Sequence, residues 1–265
     1  MGADNQAGKI PNDKAYYNEN EAYLFGSYLG DGCCSKFTKH HCFSIVSGDR
    51  DVIEKVKSIV NHITTRNYHL SSIQPNKTKL YRFRAYNKKL FKILVFETEN
   101  KRCFPEFVMN SEKRIIAEFI AGLMDTDGYI STGTNKFGQQ RFSLGFVNSG
   151  KWLDEFIALL KKFGVKVGKK TLKKKYRSVN EKDCYQININ LRSFVDNGFY
   201  FNCGRKQDIL EKYKSRVRYQ SYGKSSETIC QTSQSVMKIE SDLISDDKTS
   251  SEMVRRQEKN LVSNF

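Results

Sequence analysis

The sequence predicts an α/β (α+β) protein built from two tandem copies of one unit, and three observations carry that prediction. A twelve-residue segment, Glu21-Ala22-Tyr23-Leu24-Phe25-Gly26-Ser27-Tyr28-Leu29-Gly30-Asp31-Gly32, returns in kind as Ala117-Glu118-Phe119-Ile120-Ala121-Gly122-Leu123-Met124-Asp125-Thr126-Asp127-Gly128. Downstream of each copy the hydrophobic period changes in the same order: helix, two strands, helix, two strands, helix. The chain has 265 residues, 38% of them hydrophobic and 12% aromatic, enough to build a core in each half.

Taken in order, residues 1–20 are polar, carry Pro11 and read as a flexible arm. The first half-domain is predicted over residues 21–110. Its opening helix ends at Asp31-Gly32, and strand-like residues follow to Ser47. Val52, Ile53, Val56, Ile59 and Val60 recur at helical spacing. Two β-like runs, Arg66–Gln74 and Lys77–Tyr86, then precede an apolar helix from Lys89 to Glu97. The second half-domain is predicted over residues 111–222. After its copy of the repeated segment, Tyr129–Val147 reads as two strands, and Trp152, Leu153, Phe156, Ile157, Leu160 and Phe163 form a helical stripe. Val165–Arg177 and Asp183–Leu191 read as strands, and Ser193–Tyr200 and Lys206–Val217 as helices. Residues 223–265 are rich in Ser, Thr, Asp, Glu and Lys, with Phe265 as the only aromatic, and read as a polar, disordered tail.

Charge narrows the partner. Lys and Arg number 45 against 29 acidic residues, a net charge of +16, which favours polyanions and nucleic acid above all. No run of 18 apolar residues is present, so no membrane-spanning helix is expected. The first residues lack the apolar stretch of a secretory signal. The seven cysteines are an odd number without zinc-finger spacing, which points to a reducing, intracellular setting of open compartment and away from zinc.

The repeated segment raises two physical problems. Glycine inside a helix costs about 1 kcal/mol relative to alanine, so Gly26, Gly30 and Gly122 need a compensating contact. Spaced as Gly26-x-x-x-Gly30 and Gly122-x-x-x-Thr126, small residues share one helix face and let two backbones approach. The second problem is Asp31 and Asp127, expected in the last turns of their helices with Gly32 and Gly128 as caps. A carboxylate there meets the negative end of the helix dipole, and packing the two helices adds mutual repulsion. A divalent cation answers both. Asp31 and Asp127, with the carbonyls of Gly30 and Thr126, are hard oxygen ligands suited to Mg²⁺.

These segments resemble the paired signature of the LAGLIDADG homing endonucleases. Leu24 to Gly32 is similar to the intein-type first copy, and Ile120 to Gly128 is close to the namesake string. The similarity extends over roughly Glu21 to Tyr219. It implies a monomer with a pseudo-twofold αββαββα pair, each half offering a saddle-shaped antiparallel sheet to the major groove of DNA. The implied activity is site-specific cleavage of both strands of a long duplex, of the kind used in intron or intein homing. Asp31 and Asp127 would hold about two or three Mg²⁺ ions, with Mn²⁺ as a substitute, and help activate the attacking water. The sixth motif position is Leu29 in one copy and Asp125 in the other, where packing or capping is the expected role. The family also sets a lysine beside the metals in each half. Lys206 is the candidate in the second half and Lys101, with Arg102 as rival, in the first, to stabilise phosphate charge or tune a water.

Alternation along the strands suggests the DNA-facing side chains. Arg82, Arg84 and Tyr86 alternate with Tyr81, Phe83 and Ala85; Arg141 and Ser143 with Phe142 and Leu144; Gln186, Asn188 and Asn190 with Ile187 and Ile189. Arginine to guanine and Asn or Gln to adenine are common major-groove pairings. The lysine run Lys169 to Lys175, including Lys173 and Lys175, is expected to grip phosphates. Two alternatives share the scaffold: a maturase whose partner is intron RNA, and a DNA-binding regulator that does not cut.

Overall fold

The computed structural model describes residues 17–37, 40–74, 79–173 and 183–217. Helix α1 (Glu19–Leu29) begins with a capping box, in which Asn18 Oδ1 accepts from Glu21 N–H and Asn18 N–H donates to Glu21 Oε2, both at 3.0 Å. The order then runs β1 (Cys33–Phe37), β2 (His40–Ser47), α2 (Arg50–Thr64), β3 (Leu70–Ile73), β4 (Leu80–Tyr86) and α3 (Lys88–Glu97). A short helix α4 (Glu106–Asn110) leads into the second half: α5 (Lys113–Thr126), β5 (Gly128–Thr134), β6 (Gln140–Asn148), α6 (Leu153–Lys162), β7 (Thr171–Leu172), β8 (Tyr185–Ile189) and α7 (Leu191–Asp196). A last helix, α8, occupies residues 204–217.

The strands form two four-stranded antiparallel sheets of identical topology, β1-β2-β4-β3 and β5-β6-β8-β7. The inner face of the first pairs Phe43 with Ala85 and Ile45 with Phe83, and α2 covers it with Val52, Ile53, Val56 and Val60. The inner face of the second pairs Leu144 with Ile189 and Phe146 with Ile187, under the buried Leu153, Phe156 and Leu160 of α6. Every residue from Ala22 to Leu29 is buried. A helix without a solvent face must pack on several sides at once, and here one of those sides is α5.

Helices α1 and α5 run parallel, because their contacts advance in step. A Cβ on Gly26 would sit on the Phe119 carbonyl oxygen, one on Gly122 on the Tyr23 carbonyl, and one on Gly30 on the Thr126 side chain. The four interface residues expected from the sequence therefore meet at one seam.

Several sequence expectations need correction. The arm is not loose up to residue 20: Tyr17 stacks on Phe107 with centroids 4.2 Å apart, and the helix has begun by Glu19. Asp31 and Asp127 lie just past their helices, beyond the C-cap Gly30 in one case and as the C-cap itself in the other. Gly32 and Gly128 are glycine because of close approach, with no positive φ; a Cβ would lie 2.6 Å from Tyr28 Cα and 2.5 Å from Met124 O respectively. Of the strand expected over Val165–Arg177, β7 covers Thr171–Leu172, upstream pairing is the single Val167–Ile189 bridge, and residues 174–177 lie outside the described residues. Helix α4 was not anticipated. The tail 223–265 and residues 1–16 lie outside the described residues.

The seam predicts its own weak point. Gly122→Leu would force α1 and α5 apart and is expected to cost about 3 kcal/mol or more, read as a fall in melting temperature. An unchanged melting temperature would refute the interface assignment.

Candidate metal-dependent active site

The parallel seam brings the two motif ends together. A Cβ on Gly30 would lie 3.0 Å from Asp127 Oδ2, one residue from Asp31. Asp127 is half-buried, and its carboxylate accepts a short hydrogen bond from Asn148 Nδ2 at the end of β6. Asn148 Oδ1 in turn accepts from Gly150 N–H, which locks the amide orientation. Burial and the neighbouring Asp31 charge push the Asp127 carboxyl up to about 7. Burial also raises Asp31, while Lys101 and Lys206 pull it down; Asp31 keeps an exposed face, so water tempers its shift. Two carboxylates raised by burial, one of them further by the other's charge, are a set that a divalent cation would relieve. Among the described residues no three His, Cys, Asp or Glu side chains cluster, so an ion held here would also draw on carbonyls, water or substrate oxygens.

Each motif end also receives a lysine from its own half. Lys206 is buried, and its Nζ donates to the carbonyls of Met124, Asp125 and Gly128 at 2.9, 2.6 and 2.7 Å. Those bonds satisfy orphan carbonyls at the end of α5 and set a positive charge at the negative end of its dipole. All three ammonium protons are thereby directed at backbone carbonyls. Lys101 Nζ donates to Gly30 O and Gly32 O at 2.6 and 3.0 Å, leaving its third proton. The Gly30 carbonyl, expected to bind metal, accepts from the Lys101 ammonium in this structure. Burial lowers the pKa of both lysines and the nearby carboxylates hold it up.

The Lys101 turn is strained. Glu99, Asn100 and Lys101 have φ of 44°, 57° and 67°, a left-handed run that L residues avoid. Buried Thr98 holds it: its hydroxyl donates to Leu94 O and accepts from Lys101 N–H, and its carbonyl accepts from Arg102 N–H. This turn delivers Lys101, and not Arg102, to the motif end. Thr98 and Asn148 were not foreseen; nothing local marks Thr98, and Asn148 carried only the Asn-Ser-Gly turn signal. Asp125 is buried, and its carboxylate accepts from Tyr23 OH, Asn202 N–H and Cys203 N–H. It joins α1, α5 and the Lys206 loop and points away from solvent.

On the outer sheet faces, Arg84, Tyr86, Arg141, Ser143 and Asn188 are exposed and Arg82 and Gln186 half-buried. Arg82 Nε is buried with no hydrogen-bond partner among the described residues. Tyr129 OH donates to Asn188 Oδ1 and accepts from Gln186 Nε2, at 3.2 and 2.7 Å, so these side chains form one polar unit over Gly145. Asn190 is corrected: β8 ends at Ile189, and Asn190 Oδ1 caps α7 through Ser193 N–H. Lys173 is exposed, and Lys175 lies outside the described residues.

Residues 114–197 match the LAGLIDADG-like domain family. Among curated proteins, the probable translation initiation factor IF-2 of Methanocaldococcus jannaschii is 26% identical over 213 residues, 74% of this chain and 16% of that protein. A DNA polymerase of Acanthamoeba polyphaga mimivirus is 26% identical over 121 residues, 42% of this chain and 7% of the polymerase. The chain thus spans a small part of the length of either relative. Among solved structures, the homing endonuclease I-DmoI in complex with DNA and Mn has a TM-score of 0.47 and 20% identity, covering 67% of this chain and 93% of that one. The homing endonuclease I-GzeII in complex with a DNA target has a TM-score of 0.46 and 12% identity, covering 76% of this chain and 91% of that one.

Two predictions follow from the electrostatics. The folded pKa of Asp127 lies above its unfolded value, so its contribution to stability is present below about pH 4 and is lost as pH rises through about 7. In metal-free buffer, Asp127→Asn should therefore gain on the parent protein between pH 5 and 8, by roughly 1–3 kcal/mol at the upper end; a constant difference across that range would contradict the shift. Lys206→Met leaves three carbonyls without their donor and should cost about 3 kcal/mol, against about 1–2 kcal/mol for Lys101→Met. Denaturant melts of both variants check the order.

Proposed function

We propose that the protein, whose residues 114–197 match the LAGLIDADG-like domain family, is a site-specific endonuclease. It cuts both strands of a long DNA duplex by hydrolysing phosphodiester bonds. The observation that carries the reading is the meeting of Asp31 and Asp127 at the ends of two packed helices, each end supplied with a lysine. A quasi-twofold pair of such ends matches the antiparallel strands of a duplex, with one end for each strand. The charge of +16 and the polar outer sheet faces support DNA as the partner.

Asp31 and Asp127 are the residues that would hold the divalent ions, Mg²⁺ by the hardness of the oxygen ligands and about two or three in number, with Thr126 O as a further donor. A bound ion supplies Lewis-acid polarisation of the phosphate and acidifies water. The carboxylate oxygens of Asp31 and Asp127 orient the attacking water and take up its proton. Lys101 turns its remaining N–H toward the developing charge on the phosphate. Lys206 acts through position: it seals the end of α5 and, by its charge, favours the ionised carboxylates. Arg82, on the outer face of β4, and the Tyr129–Gln186–Asn188 unit are the candidates for backbone contact and base reading. The chain is read as a monomer, since both ends of the site come from one polypeptide.

The test is cleavage of a randomised duplex library with Mg²⁺, beside Asp31→Asn, Asp127→Asn and an EDTA control. Cutting at one long site is expected, reduced at least about a thousandfold in either variant while binding persists. Normal cutting by either variant would remove the carboxylate assignment. Tight binding to duplex or structured intron RNA without cleavage would replace the endonuclease by a regulator or a maturase.

A further inference from the structure

The two lysine loops belong to opposite halves, yet each is fastened at its far end by the other half. Beyond Lys101, Phe104 N–H donates to Glu155 Oε2 at 2.9 Å, and Glu155 lies in the first turn of α6. The Phe104 ring packs beside Phe119 and Trp152, with centroids 4.9 and 5.4 Å apart. Just before Lys206, Gly204 N–H donates to Asp51 Oδ2 at 2.6 Å, and Asp51 lies in the first turn of α2. Arg205 adds two bonds to Asp49, at 3.0 and 2.9 Å. Helices α2 and α6 occupy corresponding places in the two halves, and Asp51 and Glu155 make the same kind of contact from the first turns of those helices, at positions that differ in register. Each is a charge-assisted bond to a backbone N–H within three residues of the lysine it would govern.

We propose that Glu155 and Asp51 are positioning residues acting across the boundary between the halves, Glu155 on Lys101 and Asp51 on Lys206. Neither catalytic end is then complete within one half. The Lys101 turn shows why an anchor is needed, since three successive left-handed residues relax if one end is released. The contacts stand on geometry alone; their consequence for cleavage rests on the endonuclease reading.

The experiment uses the full chain with Glu155→Ala, Glu155→Gln, Asp51→Ala and Asp51→Asn. Hydrogen exchange on the metal-free protein is expected to speed up about tenfold over residues 98–104 in Glu155→Ala, with residues 199–206 within about twofold of the parent. Asp51→Ala should give the reverse pattern, and the Gln and Asn variants, which keep an oxygen acceptor, should restore most of the protection. Strand-resolved cleavage of an end-labelled duplex selected from the library should then show each alanine variant slowing mainly one strand by about tenfold, a different strand for each, with nicked duplex accumulating. Unchanged exchange, equal loosening of both loops, or equal slowing of both strands would overturn the proposal. If Glu155→Ala does not fold, the Asp51 pair, at an exposed contact, carries the same test. The expected exchange pattern in a protein that cuts no duplex would instead overturn the endonuclease reading and leave the clamp standing.

Discussion

The contact of α1 with α5 is the constraint on which the rest of this molecule depends. Two helices can approach until Gly26 touches the Phe119 backbone and Gly122 the Tyr23 backbone only if neither carries a Cβ there. That approach runs parallel, so both helices end at the same level. The sheets pack on the outer flanks of the pair, the motif ends converge, and Asp31 and Asp127 become neighbours as a result of packing. The fold creates the electrostatic tension of the site before any ligand arrives.

How that tension is shared out is uneven. The dipole end of α5 is answered within the protein, since buried Lys206 takes three carbonyls. Lys101 takes two at the end of α1 and arrives there on a strained turn held by Thr98. Among the described residues the carboxylates have no partner of full charge at hydrogen-bond distance; Asn148 steadies Asp127 but brings no charge. The helix-end carbonyls are thus satisfied within the protein, whereas the two carboxylates hold raised proton affinities. The Gly30 carbonyl, a candidate ligand from sequence, is the acceptor of the Lys101 ammonium in this structure.

What the sequence made legible was whatever repeats or has a period. The two αββαββα units, the glycine seam, the α2 and α6 stripes and the convergence of Asp31 with Asp127 all follow from patterns of spacing. Lys101 and Lys206 were reachable through a family resemblance, but the number of protons each has left was not, because that depends on carbonyls brought near by tertiary packing. Thr98, Asn148 and the cross-boundary acids Asp51 and Glu155 carry no local mark. Their partners lie up to 153 residues away, and acids in a first helical turn are ordinarily explained by the dipole alone. Asn190 shows the converse: its alternation fitted a strand face, yet the helix behind it needed a cap.

Phe104 gives the duplication a different meaning. Its ring belongs by position to the first repeat but completes the aromatic cluster of the second, against Phe119, Trp152 and Phe156. A chain divided near residue 110 would leave the second half with a hollow where that ring had been and the first with a buried aromatic exposed to water. The halves look like modules on the page of the sequence, but the seam between them does not follow the repeat boundary. Any recombination that exchanged one half for a relative's would have to carry the linker with the second half's core, so the heritable unit is offset from the structural repeat by the length of that connection.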